Sequence, residues 1–282
     1  MTLTKREVLE LLDAYDVRPS RALGQNFVVD PNTVRKIARL AEIGQEDRVV
    51  EVGPGVGSLT LALADTGAAI TAVEIDRHLL PILRSVLDGT GVKLVQGDAM
   101  SMDWDDLIGC SPGWVLVANL PYNVATPLVA DILDSVPAVS RMLVMVQREV
   151  GLRLAARPGD AAYGAVSVKV DYWAEASVVA RVSPEVFYPK PKVDSALVSV
   201  RRREAPAVDP ALAGPAAIFA LVRAGFATRR KTLRRALAGL VDAEAFERAG
   251  IAPQSRAEQL DIHAWGRLTA AVSSDPASGG GQ

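Results

Sequence analysis

Residues 48–65 read RVVEVGPGVGSLTLALAD, and their reading decides the fold. RVVEV is rich in β-branched residues and predicts a strand over 48–52. Gly53, Gly55 and Gly57 form a turn, and 58–65 reads as a helix. Glycines let a backbone pass close to a ligand and leave N–H groups exposed at the start of the next helix. A strand running through such a turn into a helix is therefore a nucleotide-binding unit. The dinucleotide fingerprint is G-x-G-x-x-G. Here the spacing is G-x-G-x-G, a departure that argues against a turn tuned to a pyrophosphate.

Outward from this unit, strands and helices alternate. Strands are expected at 69–74, 92–96, 114–118 and 141–146, and helices at 77–87 and 126–135. That βαβα rhythm predicts an α/β fold, a Rossmann-like, mostly parallel sheet with helices on both faces. Ahead of it, 3–16 reads as a helix, and so does 31–42, with Asp30 as cap and Pro31 in the first helical position. After it, 165–170 and 196–200 read as further strands, an antiparallel hairpin at one edge. The composition shifts at Arg201: RRREAPAVDPALAGPA is charged and rich in proline and alanine, and it reads as a linker. Beyond it 216–227, 231–240, 243–249, 256–259 and 262–272 look helical. The expected division is a catalytic domain over 1–204, a small all-α C-terminal domain over 205–272 and a disordered tail, SSDPASGGGQ, at 273–282.

The bulk numbers exclude several classes. The chain has 282 residues, 49% hydrophobic and 23% charged, and no run suggests a membrane span. MTLTKREVLELLDAYD has no apolar signal core. With one cysteine, Cys110, and two distant histidines, His78 and His263, there are few soft metal ligands. A cytoplasmic protein without a structural metal is the expectation. Net charge is −2, yet the basic residues cluster late, at Arg201–Arg203, Arg223, Arg229, Arg230, Lys231, Arg234 and Arg235. A phosphate backbone responds to the local field, so that cluster is compatible with nucleic acid; a solvated helix face explains it equally.

Two acids sharpen the glycine turn. Glu74 ends the second strand, about 20 residues past Gly53, where an acid accepts both ribose hydroxyl hydrogens. Asp98 ends the third strand, where a carboxylate can accept from an adenine amino group. Gly, Glu and Asp at three strand ends describe an adenosine site that does not need phosphates. A cap at Glu74 and a turn at Asp98 are the plainer readings.

The fourth strand ends in NLPY, residues 119–122. An exocyclic base amine must become more tetrahedral to be methylated, and its hydrogens then need acceptors. The Asn119 side-chain carbonyl and the Leu120 backbone carbonyl can supply them, Pro121 fixes that backbone, and Tyr122 can stack on the flat base. Thr126 reads as the cap of the helix beginning at Pro127.

At this point a resemblance becomes specific. NLPY with the glycine loop resembles the S-adenosylmethionine-dependent N6-adenine methyltransferases. LGQNFVVD (23–30), QREVGLRLAARPGDAAYGAVSV (147–168) and FYPKPKVDSALVSV (187–200) are similar to motifs of the KsgA-type rRNA adenine dimethyltransferases, and the resemblance spans roughly 20–265. It implies S-adenosyl-L-methionine as cofactor, with contacts from Gln25, Asn26, Val28, Gly53, Gly55, Glu74, Ile75, Asp98, Ala99 and Asn119. It implies that Asn119, Leu120, Pro121 and Tyr122 bind the target amine and that Phe187 closes over the base opposite Tyr122. It implies dimethylation of two adjacent adenines in a hairpin loop near the 3′ end of small-subunit rRNA, free or in a pre-30S particle, by a monomer. Arg223, Arg229, Arg230, Lys231, Arg234 and Arg235 would then contact RNA phosphates, with Arg230 and Arg234 spaced along one helix. The rivals are an Erm-type large-subunit rRNA enzyme, a nicotinamide dehydrogenase, which leaves NLPY unexplained, and a non-catalytic assembly factor.

Overall fold

A computed structural model describes residues 2–228 and 230–273. Arg229 and the expected tail after Ser273 lie outside the described residues. The chain forms two compact units. One comprises the residues up to Gly151 together with Ala176–Arg202; the other comprises Leu152–Glu175 together with the residues from Arg203 onward.

The first unit holds the sheet. Its strands are β1 (Phe27–Val28), β2 (Arg48–Val52), β3 (Ala69–Glu74), β4 (Lys93–Gln96), β5 (Trp114–Asn119), β6 (Val139–Gln147), β7 (Ala174–Val182), β8 (Phe187–Tyr188) and β9 (Ser195–Arg202). Seven of them form one sheet in the order β4-β3-β2-β5-β6-β9-β7. β4, β3, β2, β5 and β6 run parallel, and β9 pairs antiparallel with β6. β1 and β8 make a separate two-stranded ribbon, with Phe27 opposite Tyr188 and Val28 opposite Phe187.

Burial explains why the parallel strands are apolar throughout rather than alternating. From Trp114 to Ala118 every residue of β5 is buried, as a strand covered on both faces must be. One face packs Val49, Val115 and Val117 under Val34, Ile37, Leu59 and Leu63. A second cluster gathers Leu79, Ile82 and Leu83 with Phe27, Val56 and Leu61. Ile82 and Leu83 are fully enclosed, each contributing about 1.5–3 kcal/mol of apolar burial. The helix Pro31–Leu40 starts as its sequence predicts, with the Thr33 N–H donating to Asp30 Oδ2 at 2.7 Å.

Three local expectations are corrected. Residues 165–170 are not a strand: Ala165–Trp173 is a helix, and the edge strand is β7. AVSVKV alternates like a strand, but the Gly164 N–H donates to Ser167 Oγ at 3.1 Å, and that hydroxyl donates to Arg153 O at 2.6 Å. Packing of Val168 and Tyr172 then overrides the β-propensity. Thr126 is not a cap either: the helix is Ala125–Ser135, its N-cap is Val124, and Thr126 lies inside the first turn. Residues 231–240 contain only the short helix Leu233–Ala236, so Arg230 sits in a turn rather than on a helix with Arg234.

The second unit is helical, built on Ala165–Trp173, Pro215–Ala227, Ala243–Ala249 and Ile262–Ser273. Its core is Trp265, Tyr172, Phe246, Ile218 and Leu268. Gly225 is a packing residue: a Cβ there would lie 2.5 Å from the Trp265 ring. This unit takes in Leu152–Glu175 besides the residues after the expected boundary near 204. The basic run 201–203 is structural. Arg202 donates to the carbonyls of Ile132, Leu133, Val136 and Val139, which closes a helix end, and Arg203 bonds Asp171 and Glu175.

Candidate active site at the carboxyl ends of the strands

The first unit carries a cleft of about 250 Å³ at the carboxyl ends of β2, β3, β4 and β5. In an open α/β sheet this is where ligands bind. The cleft brings together Gln25, Asn26, Gly53, Gly55, Glu74, Ile75, Asp98, Ala99, Asn119, Leu120, Pro121 and Tyr122, residues singled out from five separate stretches of sequence.

The three glycines of the turn are left-handed, with φ of 71° at Gly53, 62° at Gly55 and 90° at Gly57. Gly55 also has no room for a side chain, since a Cβ would sit 2.8 Å from Phe27 Cδ1. Its N–H donates to Glu74 Oε2 at 3.1 Å, and the Asp76 N–H donates to Glu74 Oε1 at 2.9 Å. Glu74 is thus a buried carboxylate fixed from both sides by backbone, with lone pairs remaining on each oxygen. Burial pushes its pKa up and those two N–H groups pull it back, leaving it at about 6. No cation partners it among the described residues.

Beside it the cleft offers apolar surface. Ile75 and Met100 are large hydrophobics left 49% and 38% exposed in its lining. Asp98 accepts the Met100 N–H at 2.9 Å through Oδ1, the turn role its plainer reading assigned, and still lines the cleft.

The NLPY turn is held by long-range bonds. The Leu120 N–H donates to Met145 O at 3.0 Å, and Pro121 O accepts from Val124 and Ala125 at 3.1 Å each. Asn119 Nδ2 donates to Asn26 O at 2.9 Å, so Oδ1 is the atom left to face the cleft. Tyr122 is half-buried and its hydroxyl lies 3.2 Å from Ser195 Oγ. Burial raises the Tyr122 pKa while the serine hydroxyl lowers it, so the phenol is neutral at ordinary pH. The segment over this turn is tight: a Cβ on Gly24, itself at φ 63°, would meet Pro121 Cβ at 3.1 Å.

Two expected residues are placed elsewhere. Val28 and Phe187 do not line the cleft. They face each other in the β1–β8 ribbon, 5% and 4% exposed, packed with Val182 and Leu197 in the core. The ribbon register places both side chains in the core rather than on the lining of the cleft. Gln25 lines the cleft, but its amide is committed: Oε1 accepts from Ser20 N and Nε2 donates to Asp76 Oδ2, each at 2.7 Å. Of the expected RNA contacts, Arg223, Arg230, Lys231, Arg234 and Arg235 are exposed residues of the helical unit.

Sequence reasoning missed Asp76, Ser195 and Glu51. Asp76 ties β3 to the N-terminal segment and also accepts the His78 N–H. Glu51 is 1% exposed beneath the glycine turn, and neither its Oε2 nor the hydroxyls of Ser58 and Thr60 have a hydrogen-bond partner. Burial, with the nearby Glu74 charge adding to it, pushes its pKa up to about 8. The acid in EVGPG was the available signal for Glu51.

A Rossmann-like sheet with this cleft and an asparagine turn at the fourth strand end is a methyltransferase architecture. The same fold occurs in the 23S rRNA methyltransferase ErmE, which is 26% identical with a TM-score of 0.69 over 88% of this chain and 100% of that one. A dimethyladenosine transferase from Plasmodium falciparum shares the fold at 23% identity and a TM-score of 0.72, over 85% and 94% of the two chains. The chain belongs to the ribosomal RNA adenine dimethylase family, whose sequence model matches residues 18–273. Curated relatives named ribosomal RNA small subunit methyltransferase A include those of Kineococcus radiotolerans and Streptomyces coelicolor, each 47% identical over 95% and 93% of this chain and 91% and 94% of theirs. That of Moorella thermoacetica is 41% identical over 94% of this chain and 96% of its own.

Proposed function

We propose that this protein transfers methyl groups from S-adenosyl-L-methionine to the N6 amines of two adjacent adenines near the 3′ end of small-subunit rRNA. The observation that carries the chemistry is the orientation of Asn119, whose Nδ2 is held by Asn26 so that Oδ1 can accept a hydrogen from the amine. The Leu120 carbonyl, with no partner among the described residues, is the second acceptor. Two acceptors draw the amine out of conjugation with its ring, and Tyr122 supports the base. No strong general base is required, since the proton leaves after the methyl arrives. When bound, the cofactor supplies a methyl group on a sulfonium, open to in-line displacement. Positioning and polarity supply the rate.

For the cofactor, Glu74 accepts the ribose hydroxyls, Asp98 the adenine amino group, and Ile75, Ala99 and Met100 cover the ring. Gly53 and Gly55 leave room for the methionine portion beside Asn119. Small-subunit rather than large-subunit rRNA is supported by relatives at 41–47% identity carrying the small-subunit name, against 26% for ErmE. The substrate is rRNA or an assembling small-subunit particle, and the setting is a monomer in the cytoplasm. Arg223, Arg230, Lys231, Arg234 and Arg235 contact RNA phosphates from the helical unit. The deciding experiment is primer extension on methyl-free small- and large-subunit rRNA treated with the protein. Two adjacent stops near the 3′ end of the small-subunit RNA are expected; stops on the large-subunit RNA alone overturn the substrate.

A further inference from the structure

We propose that Arg148 and Lys192 form a phosphodiester site that grips the RNA backbone beside the extruded adenosine. The inference rests on the function proposed above. Tyr122 is tethered to Ser195, and Ser195 pairs with Gln147 at the last register of the β6–β9 ladder. One step further out, the Arg148 N–H donates to Asp194 O at 2.9 Å. There the surface forms a concavity lined by Gln147, Arg148, Glu149, Pro184, Lys192 and Asp194. Its acids are already occupied. Asp194 pairs with Arg181 at 2.6 Å, Glu185 close by pairs with Lys190, and Glu149 is not free. Arg148 and Lys192 are exposed, and neither side chain has an ion pair or hydrogen bond among the described residues.

Two unpaired cations around a concavity in which Asp194 is already paired with Arg181 make an anion site. The ligand follows from the chemistry. An adenine stacked on Tyr122 stays joined to its ribose and two phosphodiesters, which cannot enter the apolar base pocket. They must leave within a nucleotide's length of that ring, and this concavity lies one rung away. The guanidinium of Arg148 can hold two phosphate oxygens at once, while Lys192 adds a point charge. A solvated, uninvolved face is the plainer reading, and it predicts no effect of neutralising the pair.

The test uses the full-length protein with Arg148→Gln/Lys192→Gln, and a charge-matched control, Lys36→Gln/Arg39→Gln, on the helix Pro31–Leu40. Methylation of methyl-free small-subunit rRNA is followed over a range of KCl concentrations, and cofactor binding by calorimetry. The expected result is a roughly tenfold rise in KM for RNA with kcat changed less than threefold. The slope of log affinity against log salt should become shallower by about 0.7 for each phosphate no longer neutralised. Cofactor affinity stays unchanged, which also reports an intact fold, and Arg148→Lys/Lys192→Arg restores part of the loss. Unchanged KM and salt slope, a loss confined to kcat, or an equal loss in the control overturns the site. A wild-type protein that methylates no rRNA adenine overturns the underlying function instead.

Discussion

The two walls of the cleft are built differently. On the cofactor wall, Glu74 and Asp98 are fixed by backbone N–H groups of the turns at the strand ends: Gly55 and Asp76 hold Glu74, and Met100 holds Asp98. On the target wall the fixing partners are remote in sequence. Asn119 is held by Asn26 and Tyr122 by Ser195. Backbone N–H donors at the strand ends place Glu74 and Asp98 whenever the sheet forms. Long-range side-chain tethers make a wall that can be loosened singly, leaving cofactor binding nearly intact. Transfer chemistry and cofactor affinity should therefore separate under mutation.

The largest separation is expected at Asn119. Asn119→Ala should lower kcat by about 10²–10³, the usual effect of removing one aligned polar group from a reacting centre. Cofactor affinity should fall by no more than about threefold, and the thermal midpoint should barely move. Single-turnover methyl transfer with calorimetry checks both, and a parallel collapse of the two would mean that the walls are one structure.

Next comes the opposite perturbation, at Glu74. Its carboxylate must be ionised to accept two hydroxyls, and its pKa of about 6 places the transition within reach. Cofactor affinity should be flat above pH 7 and weaken towards tenfold per unit below pH 6. Glu74→Gln should bind about tenfold more weakly at pH 7.5 and show no such step. A step of equal size persisting in Glu74→Gln would assign the titration to another group.

A smaller effect is expected at the Tyr122 tether. Ser195→Ala and Tyr122→Phe each remove one neutral hydrogen bond, worth about 1 kcal/mol, or roughly fivefold in kcat/KM. Because both remove the same bond, the double variant should be no worse than either single one. Full additivity would show that Ser195 does not position the ring.

The contrast between the walls also explains what the sequence made legible. Parallel strands covered on both faces are continuous apolar runs, and a turn needing left-handed backbone must spend glycines. The sheet was therefore readable, and so was the gathering of Glu74 and Asp98 at its strand ends. The tethers were not: nothing in DSA at 194–196 says that its serine meets a tyrosine in the turn after another strand. The burial of Phe187 was hidden for the same reason, because it is set by pairing with Val28 rather than by its own neighbours in sequence. AVSVKV became a helix because Ser167 bridges to Gly164 and Arg153.

The smallest effect on activity and the sharpest test of a preformed cofactor wall lie beneath it, at Glu51. Its pKa is raised by burial from 4.5 to about 8. Below pH 4.5 the carboxyl is protonated in both folded and unfolded chains, and its contribution to stability is fully present. Between pH 4.5 and 8 the unfolded chain releases that proton while the folded one keeps it. Stability is then lost as pH rises, by up to about 1.4 kcal/mol per unit, until the folded carboxyl ionises too. Glu51→Gln carries no such proton, so its unfolding free energy relative to wild type should rise steadily from pH 5 to pH 8. Methyl transfer at pH 6, where wild-type Glu51 is neutral, should change by less than about threefold. Urea titrations across this range decide the matter. Parallel pH profiles would mean that Glu51 ionises normally inside the fold, and that the ground beneath the glycine turn is wetter than its burial indicates.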